Sequence, residues 1–113
     1  MLAISSASRI EVQVLDWFQK PQLDGPIDIV IASDVVWLAE LIDPLVTTIK
    51  RLIERQSSPL VVYMSYQSRS IAADNKLFQA LELVQCKVET IPTYQHHPEY
   101  SSSKVNIYRI TKI

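Results

Sequence analysis

A single glycine, Gly25, stands in a chain of 113 residues. Average usage gives about seven or eight in this length. Loops that wrap a phosphate or ribose need glycine so that backbone N–H groups can come close. No such loop is present. The one cysteine, Cys86, excludes an internal disulfide and fits a reducing compartment. No apolar run approaches the roughly 20 residues needed to span a bilayer. The opening MLAISSASRIEV lacks the basic start and long apolar core of a secretory signal. Lys and Arg total 11 against 12 Asp and Glu, a net charge of −1 without long blocks of one sign. This balance asks for neither nucleic acid nor a membrane as partner. The expected location is cytoplasmic, with the nucleus as the alternative.

What is present suits a packed core. Hydrophobic residues make up 48% of the chain, too many for a disordered segment. The length fits one domain over residues 1–113, or part of one. RIEVQVLDW alternates apolar Ile10, Val12 and Val14 with Glu11 and Gln13, which predicts a half-buried strand. QLDGP is turn chemistry. IDIVIAS reads as a short β-branched strand, apolar on both faces. Leu38, Leu41, Leu45, Ile49 and Leu52 then recur at helical spacing, with acids early and Lys50, Arg51 and Arg55 late, as the helix dipole favours. Asp43-Pro44 offers a cap and first position where the helix starts or restarts. PLVVYMSY is a second buried strand, and a second helix covers roughly 73–84. CKVETIP and KVNIYRITKI alternate as two further strands. The last is expected to be antiparallel, because the link from Pro92 to Ser103 shows no helical pattern. The fold class is α/β: a mostly parallel sheet with helices against it and an antiparallel closing strand.

In such sheets ligands bind at the carboxyl ends of strands. Asp34 and Tyr66 both fall at such ends. An Asp after a buried strand is also a common helix N-cap, here for a helix starting near Val36. Trp17 suits a core as well as a site, Tyr66 suits strand-end packing as well as a site wall, and Arg69 suits solvent. The adjacent His96 and His97 point to opposite faces of an extended chain and lack a second cluster, so no metal site is expected. Cys86 reads as a buried thiol.

LDWF, DIVIASDVVW, VVYMSYQSRS and IPTYQHHPEYSSSKVNIYRITKI, in this order and spacing, resemble the C-terminal half of the seven-β-strand protein-lysine methyltransferases. They are similar to the group that includes the lysine methyltransferase of valosin-containing protein. The resemblance runs from Arg9 onward. It implies a Rossmann-like class I methyltransferase fold and transfer of a methyl group from S-adenosylmethionine to a lysine ε-amine on a partner protein. Trp17 matches a Trp near the adenine, and Ser33 a small residue beside the cofactor. Asp34 matches the acid that faces the incoming lysine. Its carboxylate suits that role, because it can hold and orient an ammonium and help steer its proton away. Trp37, Tyr66 and Arg69 match the substrate side. Two departures stand out. Trp37 replaces the family's Tyr or Phe, and the half that carries the glycine loop and the ribose-binding acid is not in this sequence.

The chain is therefore expected to be an incomplete methyltransferase domain, inactive alone. The alternative is a non-catalytic interaction module derived from that fold. A receiver-like or flavodoxin-like domain ranks lower, because the extra acidic pair and the phosphate loop are missing. IDIVIAS would have an unpaired edge without the missing strands, which predicts self-association.

Overall fold

A computed structural model describes residues 10–36 and 38–113. Four strands and two helices follow one another: β1 (Ile29–Ser33), α1 (Ile42–Glu54), β2 (Val61–Gln67), α2 (Ile71–Leu83), β3 (Cys86–Thr90) and β4 (Val105–Lys112). The sheet order is β1-β2-β4-β3. β1 and β2 are parallel, with Ile31 opposite Tyr63. β4 enters between β2 and β3 and runs antiparallel to both. The α/β sheet with its closing antiparallel strand is thus present, in a Rossmann-like arrangement.

Each helix follows from its apolar spacing. α1 buries Ile42, Leu45, Val46, Ile49, Leu52 and Ile53 along one stripe. The apolar repeat from Leu38 suggests one longer helix, but a single 3-10 turn, Ala39–Leu41, precedes α1. Leu41 occupies the cap position, and Asp43 and Pro44 lie inside the first turn. Pro44 is tolerated there because the first N–H groups of a helix have no intrahelical partner. α2 has a side-chain cap: Ser70 Oγ accepts from Ala73 N at 3.1 Å. Its inward residues are Ala73, Leu77 and Leu81.

The two faces of the sheet differ. Val62, Met64 and Tyr66 of β2 and Ile110 of β4 are buried in one cluster with the apolar stripes of both helices. Val30 and Ala32 of β1 and Val88 of β3 pack against it. The intervening residues stand on the other face, where Ile29 is 58% and Ile31 81% exposed. The expectation that IDIVIAS is covered on both sides is therefore met on one side only among the described residues.

The chain ahead of β1 also departs from expectation. Ile10–Leu15 forms no strand, and Val12 and Val14 are 95% and 92% exposed. Alternation makes a segment fit for a sheet, but it does not by itself supply the neighbouring strand that a ladder needs. LDWF is a turn instead: Asp16 Oδ1 accepts from Phe18 N at 2.9 Å and Asp16 O from Gln19 N at 3.1 Å.

The end of α1 then fixes the approach to β1. Arg55 Nη2 donates to Leu23 O and Gly25 O, both at 2.7 Å. The Gln56 amide accepts from Ile27 N and donates to Ile27 O, both at 2.8 Å, as a neighbouring strand would. Gly25, at φ 71, makes the turn between these anchors.

Candidate functional site

β1 and β2 end side by side. Ser33 and Ser65 are register partners, and Ser65 Oγ donates to Ser33 Oγ at 2.9 Å. Both line an open hollow of about 500 Å³ on the uncovered face, with Tyr63, Ile107 and Gln95. Asp34 follows immediately, at φ 54. This left-handed conformation is uncommon outside glycine, though Asp and Asn adopt it more readily than most. It turns the chain sharply off the strand. The Asp34 carboxylate meets Arg69 Nη2 at 3.2 Å, across the gap between the two strand ends. Asp34 is not a helix cap: the next helical turn starts at Ala39, with Leu38 in the cap position.

Arg69 sits between two anchored residues. Ser70 caps α2. Ser68 Oγ donates to Asp74 Oδ2, and Tyr66 Oη donates to Asp74 Oδ1. One carboxylate in the first turn of α2 thus ties the end of β2 to the loop that carries Arg69. Burial, reinforced by the bond to Asp74 and by its charge, pushes the Tyr66 phenol well above its ordinary range. Tyr66 is 3% exposed and belongs to the helix-covered face, with its ring 6.3 Å from that of Tyr108. Of its two readings from sequence, the structure has strand-end packing. Tyr66 has the parity of Val62 and Met64, so it turns away from the hollow. Arg69, by contrast, reaches the strand-end acid rather than only solvent.

Trp17 is half-buried against the core, and its carbonyl accepts from Thr48 Oγ1 of α1 at 3.3 Å. That puts it on the helix side of the sheet, whereas Ser33 faces the hollow. The two residues matched to the cofactor are therefore not brought together. With no glycine cradle beside them, the described residues do not fit the group as a complete site. Trp37 lies outside the described residues. The histidines have local partners. His96 Nε2 bonds with Ile91 O at 3.1 Å. His97 Nδ1 accepts from Glu99 N at 3.0 Å and Tyr100 N at 3.2 Å.

Three contributors escape a sequence reading: Ser65, Ser68 and Asp74. Ser65 was reachable through strand pairing, since β1 and β2 in parallel register set it against Ser33. Asp74 carried no signal beyond an acid near a helix start. Together these residues hold an exposed carboxylate and a guanidinium at the exits of two parallel strands. A carboxylate so placed can bind a cationic group at a strand end.

An α/β sheet with its candidate acid at this exit has the layout of a methyltransferase-like fold. The family model described as lysine methyltransferase matches residues 2–84. The chain belongs to that family, whose methyl donor is S-adenosylmethionine. The match includes Trp17, Ser33, Asp34, Trp37, Tyr66 and Arg69, and stops before β3. No curated protein matches the chain. Among the described residues no helix is long and apolar enough to cross a membrane.

Proposed function

We propose that this chain supplies the substrate-facing end of an S-adenosylmethionine-dependent protein-lysine N-methyltransferase, similar to the valosin-containing-protein lysine methyltransferase group. It corresponds to the C-terminal part of one domain. Its partner is a protein segment that carries a lysine, and Asp34 receives the ε-ammonium. The supporting observation is the state of Asp34: exposed, turned off the strand, and holding a cationic group through Oδ1 at 3.2 Å. A carboxylate has a second oxygen to offer, so an ammonium can share the site with Arg69 or displace it. Tyr66 acts indirectly, through Asp74 and the Ser68–Ser70 loop. Trp17 and Ser33 contribute to the cofactor side only in a completed site, so methyl transfer by these 113 residues alone is not expected.

Titration of the labelled chain with a lysine-containing peptide and its acetyl-lysine twin tests this reading. The unmodified peptide is expected to shift Asp34 and Arg69 signals, and Asp34→Asn to remove the effect. Equal binding of the acetylated peptide would mean that the ammonium is not recognised. Calorimetry with S-adenosylmethionine is expected to show no tight binding, and micromolar affinity would overturn the split assignment of Trp17 and Ser33. The open apolar face favours a second reading, a non-catalytic interaction module. In that case apolar peptides would shift Ile29, Ile31 and Tyr63 and leave Asp34 unmoved.

A further inference from the structure

Arg69 and Asp34 meet at a single point. One hydrogen bond joins them, from Arg69 Nη2 to Asp34 Oδ1 at 3.2 Å. Charge-assisted N–H···O bonds are commonly about 2.7–2.9 Å, and Arg often grips a carboxylate with two of them. Both side chains stay in water, 44% exposed for Arg69 and 79% for Asp34. The backbone on either side of Arg69 is held: Ser68 Oγ donates to Asp74 Oδ2, and Ser70 Oγ caps α2. The guanidinium can therefore leave Asp34 by rotation of its own side chain, while the strands and the loop stay in place.

We infer that Arg69 is an internal competitor for the lysine site, which occupies Asp34 when no lysine is bound and promotes release of the methylated lysine by returning to it. The inference rests on the assignment of Asp34 to the lysine ε-ammonium. A lysine keeps its positive charge when it is methylated. A carboxylate alone therefore attracts substrate and product alike, and charge gives the product no reason to leave. A guanidinium tethered beside it does. It is always protonated, and its effective concentration at Asp34 is set by its own short tether rather than by the supply of peptide.

The other role open to Arg69 is a brace that holds Asp34 for the substrate. The contact suits a competitor better. A single exposed ion pair contributes little to stability, and Ser68, Ser70 and Asp74 already anchor the loop without it. A site that is open for only a fraction of the time has its apparent affinity reduced by that fraction. A pair closed for about half to four-fifths of the time, as its exposure suggests, weakens lysine binding about two- to fivefold.

The test titrates the labelled 113-residue chain and its Arg69→Gln variant with three versions of one peptide, carrying lysine, monomethyl-lysine or acetyl-lysine. Arg69→Gln is expected to tighten binding of the lysine and monomethyl-lysine peptides alike, by about two- to fivefold, and to leave the uncharged acetyl-lysine peptide unchanged. Arg69→Lys is expected to bind as the native chain does, because a single-point contact needs a point charge rather than a planar fork. Arg69→Met keeps the apolar stem and gives the same readout as Arg69→Gln if that variant fails to fold. Weaker binding of the lysine peptide by Arg69→Gln would overturn the inference and make Arg69 a brace. Unchanged binding would overturn it as well. An equal gain for the acetyl-lysine peptide would mean that Arg69 obstructs by bulk and not by charge. These three outcomes leave Asp34 as the lysine site. A native chain and variant that both fail to prefer lysine over acetyl-lysine would instead overturn the assignment of Asp34, and the inference with it.

Discussion

The two faces of the sheet are built from the same strands and differ in what they carry. On one, Met64, Val62 and Ile110 are almost wholly buried beneath α1 and α2. On the other, Ile29 and Ile31 remain in water beside the Ser33–Ser65 hollow. The covered face supplies stability, because apolar area removed from water is the main favourable term in folding. The open face stabilises the chain little, and it is the face that the proposed function uses for recognition. Neighbouring residues on one strand, such as Val30 and Ile31, therefore answer to different pressures.

The sharpest test of this division is a pair of truncations. Met64→Ala, on the covered face, is expected to cost about 2–5 kcal/mol, the range for large-to-small changes in a packed core. Ile31→Ala, two strand positions from the candidate site, is expected to cost less than about 0.5 kcal/mol, as exposed substitutions do. Urea unfolding of both variants, at low concentration, measures the gap. Comparable losses would mean that the open face is covered in solution.

Much of the element order was legible. β4 alternates cleanly, and the lack of a helical pattern in the link before it correctly pointed to an antiparallel strand. The strand-end position of Asp34 was also legible, because β1 is a short apolar run with an obvious exit. What failed was anything that depends on a neighbour. Ile10–Leu15 alternates as well as β4 does, yet alternation records only a fitness for pairing. Tyr66 was ambiguous because every residue from Val61 to Met64 is apolar or aromatic, so the pattern does not reveal which parity the helices cover. Arg55 reads as a dipole-complementing charge and Gln56 as a turn residue. Their bonds to Leu23, Gly25 and Ile27 span about 30 positions and have no local signature. The left-handed conformation of Asp34 was equally hidden, since nothing in DVV demands it.

A middle-sized effect probes a polar link between the covered face and the site. Asp74→Ala removes the acceptor of both Tyr66 Oη and Ser68 Oγ. Leaving the buried Tyr66 hydroxyl unpaired is expected to cost about 1–3 kcal/mol, and Arg69 should lose its hold on Asp34. The companion observable is alkaline stability. The Tyr66 and Tyr108 phenols and the Cys86 thiol are all pushed up from their ordinary 10.0, 10.0 and 9.0, chiefly by burial. The folded chain therefore keeps these protons at pH values where the unfolded chain releases them. The sign follows: their contribution is complete below about pH 9 and is lost as pH rises further. A urea midpoint that holds or rises above pH 10 would show that these groups are open to solvent.

The smallest effects separate the two non-glycine residues at positive φ. Gln85, at φ 62, follows the end of α2, where its N–H donates to Glu82 O at 2.9 Å. Glycine is the residue usually found there, so Gln85→Gly is expected to stabilise the chain by about 0.5–1 kcal/mol. Asp34→Gly relieves the same kind of strain at φ 54, but it also deletes the exposed pair with Arg69, itself worth about 0–1 kcal/mol. The two terms are of similar size and opposite sign, so the net change in stability should lie near zero. Binding should not cancel in this way. Asp34→Gly is expected to abolish the lysine-peptide response, and Gln85→Gly to leave it intact. If Asp34→Gly instead destabilises the chain by about 2 kcal/mol or more, the carboxylate is a structural anchor. The strained residue would then belong with the covered face rather than with recognition.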